Sequence, residues 1–378
     1  MSSSINRRSF VQGSLFVGLA AMRKPTFAKE PVPRPGMKIR EVKAFQPATP
    51  GSPPDWRTQL GQIVVQLETE SGLVGIGVGG GGAAGIHVVQ TVLRDMLIGR
   101  DASAVEELHH DMNRQTLFYG RKGLVVMATS GVDLALWDLR GKMDGLPVAK
   151  LLNPNVNLAA AIPTYATVFS EPEIENAIAG RHAGLKLHLE SFGKEPDVKR
   201  LADFVGGVRQ RLGRDKMLMI DAFAMWDLTT TCKIADAISQ YNIAFIEEPL
   251  PPDDLDGYAT LVQQVSIPIA GGEHEYLTRG FRALVDRKLH AVLQPDINWC
   301  GGMSTVYDVY RVALDAKIRV IPHRGSEPFA LHAIAALDPQ PLAEAPRSWF
   351  NCLQGAPRIQ DGVIRLNDAP GFGVSVVS

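Results

Sequence analysis

The sequence predicts an α/β chain, a parallel barrel of alternating strands and helices preceded by a smaller α+β domain. Three observations predict it. MLMIDAF (217–223), AFIEEP (244–249) and IAGGEHE (269–275) are apolar runs of strand length, each ending in a carboxylate: Asp221, Glu247 and Glu273. These carboxylates are evenly spaced, 247 − 221 = 26 and 273 − 247 = 26, with helix-like stretches between them. VLQPDIN (292–298) and RVIPHRGS (319–326) continue the series and carry Asp296 and His323, 323 − 296 = 27 residues apart. Consecutive strand–helix units of a parallel barrel have this period.

In such a barrel the C-terminal ends of all strands point to one face, so residues 26 apart in sequence meet in space. Three convergent carboxylates cannot all stay ionised side by side without a cation. Oxygen-only ligation suits a hard divalent ion, Mg²⁺ first. A buried Asp296 holding the far nitrogen of His323 fixes the imidazole's tautomer and raises its basicity. A metal and an Asp-supported histidine at one barrel mouth point to proton abstraction next to a carboxylate, the developing charge being stabilised at the metal. A lone acidic residue at a strand end is most often a cap or loop residue. Five residues of the right type at near-constant spacing outweigh that reading.

Composition bounds the rest. The chain has 378 residues, enough for two domains and an ample core. With 39 basic against 40 acidic side chains it offers no electrostatic case for binding nucleic acid or an anionic membrane. No stretch is long and apolar enough to span a bilayer. Cys232, Cys300 and Cys352 have no metal-ligand spacing, and Cys300 reads as a small buried residue.

Taken in order, residues 1–35 read as a leader. Arg7-Arg8-Ser9-Phe10 precedes the short apolar run SLFVGLAAM and a Pro- and Lys-rich stretch, the parts of a twin-arginine-type export signal to the periplasm. KIREVKAFQ and GQIVVQLETESGLVGIGVG then read as a β-meander with a turn at ESG. ATPGSPPDWR (48–57) is a Pro- and Gly-rich loop. The run GVGGGGAAG (77–85) lacks the Lys-Ser/Thr of a phosphate loop and reads as a flexible junction. Residues 86–152 are largely helical, with Val132, Leu136 and Leu139 on one face. The barrel begins near residue 159, and alternation along AGLKLHL (183–189) points Lys186 and His188 the same way.

The stretches GLVVMATSGVDLALWDLRGKMDGLPVAKLL (123–152), IEEPLPPDDLDGY (246–258), GGEHEY (271–276), QPDINWCGG (294–302) and IPHRGS (321–326) resemble the mandelate racemase branch of the enolase superfamily. Within it they are most similar to the L-rhamnonate dehydratases, over about residues 38–350. The resemblance implies a (β/α)7β modified TIM barrel over 156–349. It also implies an α+β capping domain over 38–155, completed by about 350–378. It implies Mg²⁺ on Asp221, Glu247 and Glu273, a sugar-acid substrate and a homo-oligomer. Trp56 and Arg57 belong to the loop that folds over the barrel mouth in relatives, and Tyr119 and Arg121 to a turn facing the same entrance. Relatives carry Lys-x-Lys where this chain has Lys186 and His188. Lys186 then supports the substrate carboxylate. His188 contacts substrate, acts as a second base or fills space. Glu344 stands about where relatives place a protonated carboxylic acid that donates to the enediolate, and Arg324, replacing a small residue, is assigned to substrate contact. The implied reaction is dehydration to a 2-keto-3-deoxy sugar acid. His323 abstracts the α-proton, and His323 or His274 protonates the departing 3-hydroxyl. The alternatives are an epimerase or racemase of a hydroxy acid, which needs bases on both faces, and a catalytically silent sugar-acid-binding protein, which has no use for a general base.

Overall fold

The computed structural model describes residues 35–47, 61–345 and 352–376. Nearly all of the expected leader, together with Trp56 and Arg57, lies outside the described residues.

The N-terminal part is an antiparallel three-stranded sheet, β1 (Ile39–Phe45), β2 (Ile63–Thr69) and β3 (Val74–Gly79). Helices α1 (Val105–Gln115) and α2 (Leu124–Asp144) follow. The glycine run is not a flexible junction. Its first residues complete β3, and Gly82–Val88 is helical. Gly75, Gly77 and Gly79 alternate along β3 and so share one face. A Cβ there would stand 2.3 Å from the carbonyl oxygen of Ala135, 2.0 Å from that of Gly131 and 2.5 Å from that of Met127. Those residues recur every turn of α2, so the missing side chains let helix backbone lie directly on strand backbone. The buried Asp138 of α2 ties three segments together. It accepts from the Ile76 and Phe372 N–H groups at 2.9 and 2.8 Å and pairs with Lys142 at 2.7 Å.

The remainder is a barrel. Its strands are β4 (Ile162–Val168), β5 (Gly184–His188), β6 (Met217–Asp221), β7 (Ile243–Glu247), β8 (Ile269–Gly271), β9 (Val292–Leu293), β10 (Arg319–Val320) and β11 (Ala343–Glu344). β4 to β10 pair in sequence order, and β11 returns to pair with β4, all in parallel. The helices between them are α3 (Glu171–Ala179), α4 (Val198–Leu212), α5 (Leu228–Ile238), α6 (Leu255–Gln264), α7 (Leu277–Asp286), α8 (Gly302–Asp315) and α9 (Pro328–Leu337). Eight strands and seven intervening helices make the (β/α)7β barrel. The carboxylates of Asp197, Asp227 and Asp254 cap α4, α5 and α6 by accepting N–H bonds at 2.7–3.0 Å.

The barrel interior is packed. Tyr165, Met219, Phe245, Ala270, Val292, Ile321 and Leu342 form one buried cluster, a plug of side chains beneath the strands' C-terminal ends. Around the outside, apolar strand residues such as Leu187, Ile220 and Ile246 join the helices in a second, larger core. Past β11, Leu353–Gln354 pairs with Ser375–Val376, while Val363–Ile364 pairs antiparallel to β4. Among the described residues no helix is long and apolar enough to cross a membrane.

Gly77→Ala is expected to cost about 1–3 kcal/mol or more of stability, since helix backbone and not a flexible side chain fills the space. Urea unfolding measures it. A change below a few tenths of a kcal/mol would contradict the strand–helix contact.

Candidate active site

The register of the barrel assembles the site. His188 pairs with Asp221, and Asp221 with Glu247, so the last residues of β5, β6 and β7 stand in one row. All three are buried. His188 Nδ1 lies 2.8 Å from Asp221 Oδ2, and the other Asp221 oxygen accepts from the Phe223 N–H at 3.0 Å. The His188 ring is flanked by Phe169 and Phe223, with centroids 4.6 and 5.0 Å away. Two residues back on the same face of β5, the Lys186 ammonium donates to both oxygens of Glu247 at 2.7 and 2.8 Å. It lies 3.3 Å from Glu344 and 4.0 Å from Asp221. Burial pulls the Lys186 pKa down, but the facing Glu247 and Glu344 outweigh it and hold it well above the ordinary value. Glu247 is pushed up to about 7 by burial, against the attraction of Lys186 and with the repulsion of Asp221 and Glu344.

Glu273 follows β8 and faces the same space. Its Oε2 lies 3.5 Å from His323 Nε2, and its Oε1 3.8 Å from His274 Nε2. Burial, with the charges of Glu248 and Glu247 beside it, pushes Glu273 up to about 7 even though His323 pulls the other way. His274 Nδ1 sits 2.7 Å from Glu248 Oε2, while Glu248 Oε1 accepts from the Gly272 N–H at 3.2 Å. Burial opposes the charge on His274, but Glu248 and Glu273 carry it up to about 9.

Across the mouth, His323 Nδ1 lies 2.8 Å from Asp296 Oδ2, and Asp296 Oδ1 accepts from the Asn298 N–H at 2.8 Å. Burial would raise Asp296, but the Arg324 charge and the bond to His323 hold it below the ordinary carboxylate range. Trp299 stands 5.9 Å from the His323 ring and 6.0 Å from that of His274. The loop bearing Asp296 and Trp299 is pinned to α2. Ser130 Oγ accepts the Gly301 N–H at 2.8 Å, and Asp133 accepts the Ser304 N–H and hydroxyl at 3.0 and 2.6 Å.

Several expected roles are revised. Arg324 is 3 % exposed, and its guanidinium donates to Asp296 at 2.8 and 3.2 Å, so it is committed inside the wall and not to substrate. Glu344 accepts from the Thr167 hydroxyl and from the Arg324 N–H at 2.7 Å, with Lys186 beside it. Tyr119 is 86 % exposed. With Arg121 it lines a surface groove of about 550 Å³ whose other walls include Lys122, Glu275 and Arg279, and none of the carboxylates or imidazoles described above.

The carboxylates expected from spacing are all at the barrel mouth, yet they are not the tightest group. Among the described residues, ligand atoms of Glu248, Glu273 and His274 lie within 4.8 Å of one another. Lys186 takes both oxygens of Glu247, and His188 takes Asp221. Sequence reasoning missed Glu248 and Gln294, the latter donating to Glu247. The doubled carboxylate of IEEP signals the first, and nothing local signals the second.

Comparison with known proteins matches this chain to two family models. "Enolase C-terminal domain-like" covers residues 172–377, and "Mandelate racemase / muconate lactonizing enzyme, N-terminal domain" covers residues 41–153. Among solved structures, the 3,6-anhydro-D-galactonate cycloisomerase from Zobellia galactanivorans is similar at 28% identity and TM-score 0.78, over 90% of this chain and 97% of that one. Rhamnonate dehydratase from Gibberella zeae complexed with Mg is similar at 27% identity and TM-score 0.80, over 91% and 95%. A racemase from Streptomyces coelicolor A3(2) with bound magnesium is similar at 27% identity and TM-score 0.79, over 89% and 97%.

Lys186→Met leaves buried Glu247 and Glu344 without their shared cation. The expected cost is about 3–5 kcal/mol in urea unfolding at pH 8. A neutral substitution would contradict the charge balance described.

Proposed function

The chain belongs to the mandelate racemase branch of the enolase superfamily, and from that premise we propose that it is a sugar-acid dehydratase. It removes the proton on the carbon next to the carboxylate and expels the neighbouring 3-hydroxyl, leaving a 2-keto-3-deoxy acid. The observation that carries the reading is the His323–Asp296 pair, whose Nε2 faces the carboxylate cluster 3.5 Å from Glu273.

Asp296 holds a proton on Nδ1 of His323, which leaves the Nε2 lone pair to take the α-proton. The C2–H electrons pass toward the substrate carboxylate. Lys186, held protonated, is the fixed positive charge nearest the carboxylate row. The electrons then return to form the C2–C3 double bond as the C3–O bond breaks. The hydroxyl leaves as water once protonated, by His323 or by His274, which its carboxylate neighbours keep charged at neutral pH against the opposing effect of burial. The enol product tautomerises to the ketone.

The residues fit a divalent cation. Asp221, Glu247, Glu248 and Glu273 are buried at the ends of three adjacent strands, and two of them are pushed up to about 7. An oxygen donor set this crowded suits Mg²⁺. Asp221, Glu247 and Glu273 would hold it. When bound, it supplies Lewis-acid stabilisation of the charge that develops on the substrate carboxylate.

One observation favours a second reading, an isomerase. His188 on Asp221 matches His323 on Asp296, each pair 2.8 Å apart, so two carboxylate-held imidazoles stand on different strands. Proton removal on one face and return on the other would use both.

The test is a screen of hexonic, pentonic and deoxyhexonic acids with Mg²⁺, reading 2-keto product. Keto acid from any of them is the expected result. Deuterium entering C2 without keto acid moves the reading to the isomerase. No change in any acid sinks both. A pH series adds a second check. Glu247 and Glu273 bind Mg²⁺ only when ionised, and their raised values mean they are protonated at pH 5.5. The rise in melting temperature on adding Mg²⁺ is therefore small at pH 5.5, grows through pH 7 and levels off near pH 8. A rise independent of pH would remove these two as ligands.

A further inference from the structure

Arg324 follows the base in sequence, and three of its features belong together. Its side chain is 4 % exposed, a charge buried in the barrel wall. Its Nη2 and Nε donate at 2.8 and 3.2 Å to Asp296 Oδ2, the same oxygen that lies 2.8 Å from His323 Nδ1. Its backbone is left-handed, φ +53°, a conformation that bulky residues adopt only when the surroundings enforce it. What enforces it is also visible. The Arg324 N–H donates to Glu344 at 2.7 Å, the guanidinium lies 5.2 Å from the Trp299 ring centre, and Glu327 flanks it at 3.8 Å.

We propose that Arg324 is a positioning residue for the base, a clamp that holds the Asp296 carboxylate so that His323 keeps its proton on Nδ1 and presents Nε2 to the site. The inference rests on the reading of His323 as the base. Asp296 has two oxygens. Asn298 N–H fills one at 2.8 Å, and Arg324 and His323 share the other. With both oxygens filled the carboxylate has no rotation left, and the imidazole plane is fixed with it. A planar fork lying on an indole face reaches one oxygen through two N–H groups, which an ammonium in that place does not do.

The site contains its own controls. Three histidines place Nδ1 within 2.7–2.8 Å of a carboxylate: His188 on Asp221, His274 on Glu248 and His323 on Asp296. In full-length protein with ¹⁵N-labelled histidine, each should give a downfield ring N–H signal, and His323→Asn identifies the one that belongs to Asp296. In Arg324→Met that signal is expected to shift upfield or broaden, while the other two stay. Millimolar guanidinium should restore it, and Arg324→Lys should restore it in part. A His323 signal unmoved in Arg324→Met, absent from the unsubstituted protein, or moving together with the other two overturns the clamp. On a sugar acid that the enzyme converts, Arg324→Met should lower kcat about 10–100-fold, the usual range for a partner that orients a functional group, with KM and Mg²⁺ affinity unchanged. If no sugar acid is converted, the proposed function fails while the ring signals still decide the clamp.

Discussion

A single buried ammonium offsets part of the negative charge of this site. Lys186 stands on β5 with no exposed surface, facing Glu247 on β7, Glu344 on β11 and, more distantly, Asp221 on β6. Four adjoining carboxylates, Asp221, Glu247, Glu248 and Glu273, are buried on the same side of the barrel. Their desolvation is costly, and one lysine does not cancel it, which is why Glu247 and Glu273 are pushed up to about 7. Buried ion pairs of this kind add little net stability. The stability comes instead from the apolar plug beneath and the helices outside. The barrel is thus stable enough to hold a carboxylate-rich site ready for a cation and an anionic substrate.

The N-terminal sheet and its long helix serve that site at one remove. Glycines on alternate positions of β3 bring α2 into backbone contact with the sheet. Ser130 and Asp133 of α2 then fix the loop that carries Asp296, Asn298 and Trp299. Gly80 continues the same device, since a Cβ there would lie 3.2 Å from the Trp299 ring. A chain of contacts therefore runs from a glycine-rich strand to the wall behind the base.

What could be read from the string was whatever the string encodes locally. Apolar runs with a terminal carboxylate at a period of 26 specify both the barrel and the strand ends that converge, so Asp221, Glu247, Glu273, Asp296 and His323 were legible. Alternation placed Lys186 and His188 on one face. Partnership across strands was not legible. Nothing near Lys186 says that it chooses Glu247, or that His188 chooses Asp221. Arg324 was read as a substrate contact because it stands beside the base where relatives carry a small residue. Its left-handed backbone, which turns the guanidinium back onto Asp296, leaves no trace in composition. The glycine run misled for a related reason. Gly-x-Gly-x-Gly marks flexibility in a loop and close approach in a strand, and only the helix packed on top distinguishes them.

The claim on which the account turns is that His323 takes the proton from the carbon beside a carboxylate. The most direct measurement uses a converted sugar acid deuterated at C2, with wild-type protein and His323→Asn compared in the presence of Mg²⁺. The account predicts a primary isotope effect on kcat/KM in the wild type, and no loss of C2 label to solvent in His323→Asn, which still binds the acid. Label lost at an undiminished rate from the His323→Asn protein would contradict it and pass the role to another group, His188 foremost.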